Sequence, residues 1–240
     1  MTFSIIARCP HTGRLGLGIA TYSIGAGGRC EGILAGVGIC KTQAYTNRGN
    51  DPLAIELLAQ GLGPARVMQM LEQNDPDHAY RQIGIIDRDG NGVAHTGPGT
   101  RPWSGHKIGP GYVAFGNVLA GPQVIEATAE AYARHADLPF AERLIAALAA
   151  GEAAGGDKRG KQAAALLIYS GQDYPALDIR VDDHADPIAE LRRLYEVSLE
   201  RFQPFLTCLP SRELPSGVTD RSMIEARIAS FTAARKGTPA

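Results

Sequence analysis

The predicted fold rests on two neighbouring stretches, Thr2-Phe3-Ser4-Ile5-Ile6-Ala7-Arg8 and Leu15-Gly16-Leu17-Gly18-Ile19-Ala20. Residues 10–13, Pro-His-Thr-Gly, lie between them, and turn residues between two apolar runs are typical of an antiparallel pair of strands. The second run is apolar without regular alternation, as strands covered on both faces tend to be, and its glycines allow another layer to approach closely. We therefore expect a central sheet that is buried on both sides.

The rest of the chain alternates groups of strands with pairs of helices. Strand patterns cover residues 33–43, 81–87, 93–96, 112–119, 162–169 and 177–181, and helical patterns cover 53–58, 64–71, 124–135, 140–150, 186–198 and 224–234. This order favours an α+β fold with two antiparallel sheets over a parallel βαβ fold. We expect the sheets to form a sandwich with helices on both outer faces, in a domain of residues 1–201, and residues 202–240 to be an appendage docked on that domain.

Composition excludes several classes of partner. The 240 residues are 44% hydrophobic and 20% charged, with a formal net charge of -1 and no run of like charges, so neither nucleic acid nor an anionic membrane surface is an expected partner. The four cysteines show no CxxC pair and no metal-type spacing, which favours reduced thiols. No stretch has the pattern of a membrane span or a signal peptide, so we expect a cytoplasmic protein.

Two polar or glycine-rich segments could suggest a bound ion or cofactor. Gly25-Ala26-Gly27-Gly28 does not follow a phosphate-loop pattern and is better explained by turns, so no cofactor is expected. Asp182-Asp183-His184 could gather a divalent cation, but loop residues that satisfy the backbone ahead of a helix explain it more simply. We therefore expect no metal, although Asp182 remains a candidate for lining a pocket.

Thr2 is the strongest catalytic candidate. If Met1 is removed, this residue carries both a hydroxyl and a free α-amine, and an α-amine with a pKa near ~8 is basic enough to take the hydroxyl proton. The β-methyl group restricts χ1 and helps to hold the hydroxyl toward a substrate. The combination predicts a nucleophile that carries its own base.

Three other residues have chemistry that suits such a nucleophile, and each also has a structural explanation. Lys41, at a predicted strand end, could lower the pKa of the nucleophile or could point into solvent. Asn117 offers an amide of the kind found in oxyanion holes, or a structural hydrogen bond. Asp157 could orient an amine, or could be an exposed loop carboxylate.

A set of motifs, taken together and in their order along the chain, resembles an uncharacterised prokaryotic family. This family is a domain of unknown function placed with the N-terminal nucleophile (Ntn) hydrolases. The resemblance covers residues 2 to about 198. The motifs are Thr2-Phe3-Ser4-Ile5, Thr42-Gln43-Ala44, Arg81-Gln82, His95-Thr96-Gly97, Trp103-Ser104-Gly105-His106, Gly116-Asn117-Val118-Leu119-Ala120-Gly121-Pro122, Gly155-Gly156-Asp157-Lys158-Arg159-Gly160-Lys161-Gln162-Ala163-Ala164 and Arg180-Val181-Asp182-Asp183-His184.

The resemblance implies a four-layer αββα fold and, by analogy with proteasome subunits and aspartylglucosaminidase, amide hydrolysis through an acyl-enzyme. We expect Thr2 as the nucleophile, Asn117 and Lys41 as its catalytic partners and a small-molecule amide as the substrate. The expected pocket residues are Thr42, Gln43, Asp157, Gln162 and Asp182. A homodimer is expected. The alternative is a non-catalytic protein that retains Met1 and holds a small metabolite, or serves in assembly, on the same fold.

Overall fold

The computed structural model describes residues 2–237, and the ten strands within these residues form two antiparallel sheets. The strands are β1 (Thr2–Arg8), β2 (Leu15–Thr21), β3 (Ile33–Leu34), β4 (Gly38–Ala44), β5 (Arg81–Asp87), β6 (Gly92–Thr96), β7 (Gly105–Gly109), β8 (Tyr112–Asn117), β9 (Ala163–Tyr169) and β10 (Pro175–Val181). The α-helices are α1 (Asn50–Ala59), α2 (Pro64–Asn74), α3 (Gln123–Arg134), α4 (Phe140–Ala153), α5 (Pro187–Glu200), α6 (Phe202–Leu206) and α7 (Arg221–Gly237). The larger sheet has the order β10-β9-β2-β1-β8-β7, and the smaller has the order β3-β4-β5-β6.

The sheets and helices stack in four layers. Helices α3 and α4 cover the outer face of the larger sheet, α1 and α2 cover the outer face of the smaller one, and β1, β2 and β8 face β4 and β5. The predicted α+β sandwich of two antiparallel sheets is confirmed, as is the pairing of the first two strands. The glycines of β2 have the expected role, because a Cβ at Gly16 would lie 2.6 Å from Leu144 and 2.7 Å from Phe140 of α4.

Alternation along β1 decides which side chains enter the space between the sheets. Ile6 packs in one core cluster with Ile39 and Ile86 of the smaller sheet. Because successive side chains of a strand point to opposite faces, Thr2 and Ser4 share the inter-sheet face with Ile6. Phe3 lies on the opposite face, where a Cβ at Gly151 of α4 would approach its ring to 3.0 Å. The core between the sheets is therefore apolar at one end of β1 and polar at the other.

The prediction of one long strand over residues 33–43 is wrong. The segment forms the two-residue strand β3, a tight turn and then β4, with Leu34 paired to Gly38. Gly36, at φ +70°, takes the left-handed conformation that the turn requires. The sequence pattern does not distinguish this turn from a strand, because residues 35–37 are Ala-Gly-Val and continue the apolar run. Strand β7 was also not predicted, since its His-Lys pair breaks the apolar pattern.

The chain divides into two compact units, Met1–Leu191 and Arg192–Ala240. The division falls inside α5, ahead of the boundary expected after residue 201. In the second unit, α6 packs against α7, and the guanidinium of Arg201 pairs with the carboxylate of Glu225. The docking of residues 202–240 on the domain stays a prediction. Among residues 2–237, no helix combines the length and apolar character needed to cross a bilayer.

Candidate active site between the two sheets

The hydroxyl of Thr2 lies in the wall of a cavity of about 280 Å³, at the polar end of the inter-sheet space. Thr2 is the first residue of β1, and its register partners are Thr21 on β2 and Asn117 on β8. Residues directly opposite one another in antiparallel strands place their side chains on the same face, about 5 Å apart. The three polar side chains therefore form a row across the sheet, and Thr2 Oγ1 lies 3.1 Å from Thr21 Oγ1.

Lys41 faces the same cavity from the smaller sheet, although only 3% of its surface is exposed. Its ammonium donates a hydrogen bond of 2.5 Å to the carbonyl of Arg29 and lies 3.6 Å from Asp51 Oδ2. Burying an ammonium is costly unless it is paired, and both of these contacts offset that cost. The wall opposite Thr2 therefore holds a positive charge that is fixed in place.

Asp51 is the counterion of Lys41 and also accepts a backbone hydrogen bond from β4 of the smaller sheet. Because β3 stops at Leu34, the N–H of Thr42 has no partner strand on that side, and Asp51 Oδ1 accepts its hydrogen bond at 2.7 Å. Burial raises the pKa of Asp51, while the nearby ammonium of Lys41 and the N–H of Thr42 act in the opposite direction. One carboxylate thus fixes both the end of β4 and its lysine.

We expect Asp51→Asn to lower the free energy of unfolding by about 2 kcal/mol, because the amide oxygen can still accept from Thr42 but no longer neutralises Lys41. Urea unfolding at pH 7 would measure this loss. The matched control is Asp89→Asn in the exposed β5–β6 turn, which should change stability by less than about 0.5 kcal/mol. Equal unfolding midpoints for the two variants would contradict the role given to Asp51.

A chain of buried amides joins the two sheets beneath the cavity. Ser4 Oγ donates to Gln43 Oε1 at 2.8 Å, and Gln43 Nε2 donates to Gln82 Oε1 at 2.9 Å. Asn117 Nδ2 donates to the same Gln82 oxygen at 3.0 Å. Because hydrogen bonds in a dry interior are strong and unmade ones are costly, this network holds Asn117 in one orientation. One N–H of the Asn117 amide remains for another acceptor.

A second cavity of about 230 Å³ adjoins the first, and its walls are formed by Ala44, Tyr45, Arg101, Asn117, Val118 and Arg159. Ala44 and Arg159 also belong to the wall of the first cavity. Ala44 has φ +72° and Val118 has φ +54°, values that residues with a side chain rarely adopt. Each follows a buried amide residue, Gln43 or Asn117, at the end of its strand. Backbone strain of this kind concentrates at ligand sites.

Comparison with known proteins places the chain in a family. The sequence profile of DUF1028, described as a family of unknown function, matches residues 2–191. The chain belongs to this family. Similar solved structures include the crystal structure of protein SPO2555 from Silicibacter pomeroyi, described with the same family model. The two proteins share 30% sequence identity and a TM-score of 0.83, over 91% of this chain and 99% of that one. No protein with a curated function matches the chain.

The DUF1028 domain brings most of the predicted site residues together. Thr2, Lys41, Thr42 and Gln43 line the first cavity, and Asn117 lines the second. The backbone N–H of Thr42 is bound to Asp51, and the part of Thr42 in substrate binding stays a prediction.

Three predicted pocket residues of the DUF1028 domain lie outside these two cavities. Asp157 lies behind Thr21, where its carboxylate accepts the N–H of Tyr22 at 2.9 Å and the N–H of Arg159 at 2.8 Å. Gln162 donates to Asp183 at 3.2 Å, and the side chain of Asp182 is exposed. Asp157 therefore supports the loop that carries Arg159. Within the described residues, no three His, Cys, Asp or Glu side chains form a group that could hold a metal ion.

Sequence reasoning missed Asp51, Arg101 and Arg159. Asp51 precedes Pro52, a pair typical of the start of a helix, and α1 does begin at Asn50, but no local pattern indicates that the Asp51 carboxylate bonds to β4. Arg101 lies in a loop without a strand pattern, so the sequence contains no signal for its role. Arg159 lies in the motif of residues 155–164, where Gly155, Gly156 and Gly160 on either side of it indicate a loop with a special conformation.

Proposed function

We propose that the DUF1028 domain is an N-terminal nucleophile hydrolase that cleaves linear amide C–N bonds of small molecules, with Thr2 made the first residue by removal of Met1. One observation carries this proposal. The hydroxyl of Thr2 lies in a cavity between two sheets, and the opposite wall of that cavity holds the buried ammonium of Lys41. A hydroxyl that faces a fixed positive charge is a better nucleophile than one in water, because the charge favours the alkoxide.

In the proposed reaction, Thr2 Oγ attacks the amide carbonyl carbon and its proton passes to the α-amine of Thr2. Collapse of the tetrahedral intermediate breaks the C–N bond, and the leaving amine takes that proton. The acyl group is then held as an ester on Thr2. Water attacks the ester, releases a carboxylic acid and restores the hydroxyl. Each half-reaction needs only the α-amine as its acid and base.

Asn117 supplies the oxyanion stabilisation in this mechanism. It is the register partner of Thr2 across β1 and β8, and its amide is held by Gln82. The amide N–H that Gln82 does not use can donate to the oxygen that becomes negative in the transition state. Loss of one such donor typically costs about 100-fold to 1,000-fold in rate.

The proposal includes the cellular setting and the assembly. Cys9, Cys30, Cys40 and Cys208 are all buried free thiols, which suits a reducing compartment such as the cytoplasm. We expect a homodimer, which sedimentation velocity would measure.

Intact mass spectrometry tests the proposal directly. The native protein should have lost Met1, and incubation with a library of N-acyl amino acids, N-acyl amines and primary amides should yield an acyl adduct that maps to Thr2. A matched form that carries an uncleaved N-terminal tag should bind the same compounds without forming an adduct, because its Thr2 nitrogen is an amide and cannot act as the base. If the native protein retains Met1 and binds metabolites without turnover, the non-catalytic alternative replaces the hydrolase.

A further inference from the structure

The second cavity has a distinctly cationic wall. Arg101 and Arg159 line it, and Arg29, Lys41 and Arg159 line the first. Among residues 2–237, neither wall includes an aspartate or a glutamate. The aspartates that pair with Lys41 and Arg159, which are Asp51 and Asp157, are buried outside these walls, so the cations are the charged groups that face the cavities. Clefts lined by one sign of charge attract ligands of the opposite sign.

Arg101 and Arg159 lie on two segments that are hydrogen-bonded to the residues directly after β8. On one side, Val118 N–H donates to the carbonyl of Arg101 at 3.0 Å, and Leu119 N–H donates to that of Trp103 at 2.9 Å. On the other side, Leu119 forms a bridge with Asp157. Val118, with its positive φ, thus lies between two loop segments, and each of them carries one arginine.

Contacts within the protein orient the guanidinium of Arg159. Its guanidinium lies 3.4 Å from Asp157 Oδ2 and 5.5 Å from the centre of the Tyr22 ring. A guanidinium that is already oriented loses less conformational entropy when it binds a ligand. Arg101 is exposed and lines the same cavity.

We propose that this arginine cavity binds a carboxylate of the substrate, so that the substrate class is N-acyl amino acids and similar amides with a carboxylate close to the scissile bond. The cleavage of an amide next to this carboxylate rests on the proposed function. The binding of the carboxylate itself does not. Arginine matches a planar carboxylate with two parallel hydrogen bonds, which fixes the orientation of the ligand. Asn117 lies in the wall of this cavity and next to Thr2, so a carboxylate held there is within a few bonds of the carbonyl under attack.

Matched substrate pairs test the inference. Each N-acetyl amino acid is compared with its carboxamide, which has the same shape and lacks the negative charge. We expect kcat/KM to be at least about 10-fold higher for the carboxylate. Arg101→Gln should lower kcat/KM for the carboxylate by about 10-fold to 100-fold, mainly through KM, and should lower kcat/KM for the carboxamide by a much smaller factor. The control Arg66→Gln, on the exposed face of α2, should change neither value.

Binding measurements separate failure of this inference from failure of the hydrolase proposal. If the carboxylates bind in calorimetry with an affinity that depends on Arg101 but are not hydrolysed, the anion site stands and the hydrolase proposal fails. If both members of a pair are hydrolysed equally well and Arg101→Gln has the same effect on both, the hydrolase stands and the carboxylate inference is overturned. No binding of any carboxylate probe would also overturn it.

Discussion

Thr2→Ala is expected to remove amide hydrolysis, with a loss of at least roughly 1,000-fold in kcat/KM, while the domain stays folded. The substitution deletes the attacking hydroxyl but leaves the α-amine, and Met1 is still removable before alanine because that residue is small. The cost to stability is about 1 kcal/mol, since the hydrogen bond between Thr2 Oγ1 and the hydroxyl of Thr21 is lost. Kinetics on an active amide and thermal unfolding, measured side by side, would separate the two effects.

Two further variants make the Thr2 result specific. Thr2→Ser keeps the hydroxyl with a less restricted χ1 and should retain partial activity. Thr12→Ala removes an exposed threonine hydroxyl from the turn that joins β1 to β2, at the other end of the same hairpin, and should be fully active. Undiminished hydrolysis by Thr2→Ala would end the nucleophile hypothesis, whatever the behaviour of the other variants.

Asp75→Ala is expected to lower the free energy of unfolding by about 3–5 kcal/mol. The buried carboxylate accepts hydrogen bonds from Arg81 Nε at 2.9 Å, Asn47 Nδ2 at 2.9 Å, Asn50 Nδ2 at 3.3 Å and Asp77 N at 3.1 Å. Its loss leaves the guanidinium of Arg81 without a buried counterion. Because domains have only about 5–15 kcal/mol of stability, the variant should be marginally folded. Urea unfolding at pH 7 measures the difference.

The neighbouring Asp77→Ala is the matched control for Asp75→Ala. Its carboxylate lies 4.0 Å from Arg81 and is 69% exposed, so its removal should cost less than about 1 kcal/mol. If the two variants unfold at the same urea concentration, the central role of Asp75 is wrong. Asp75→Ala should also disturb the second cavity. Arg81, which Asp75 holds in place, donates from Nη1 to the carbonyl of Tyr45 at 2.7 Å, and Tyr45 lines that cavity.

The contribution of Asp75 should depend on pH with a defined sign. The hydrogen bonds from Arg81 hold the pKa of Asp75 well below its usual value, so the folded state favours the charged carboxylate. This contribution is fully present above the pKa of about 3.9 in the unfolded chain, and it is lost as the pH falls from there toward the lower folded pKa. The stability difference between the wild type and Asp75→Asn should therefore shrink below about pH 4. A difference that is constant from pH 7 to pH 3 would contradict this assignment.

Much of the architecture could be predicted from local patterns. The hairpin of β1 and β2, the helix pairs and the position of Thr2 at the head of a central strand all follow from apolar periodicity and turn residues, and these patterns depend on neighbours in sequence. The split of residues 33–43 could not be predicted, because a turn built from alanine, valine and glycine has the same apolar pattern as a strand. The resemblance indicated Gln43 and Asn117, but not that both amides bind Gln82.

The nucleophile candidate and the two antiparallel sheets could therefore be predicted from the sequence, since a hydroxyl at the start of a strand and the order of strands and helices are features of neighbouring residues. The surroundings of that hydroxyl depend on long-range packing. Asp51 reaches β4 because β3 is short, and Arg101 and Arg159 line one cavity because two distant segments bond to the chain after β8. Charge acts through space over several ångströms, whereas sequence patterns report only local geometry, and so the cationic character of the cavity emerged only when the chain was folded.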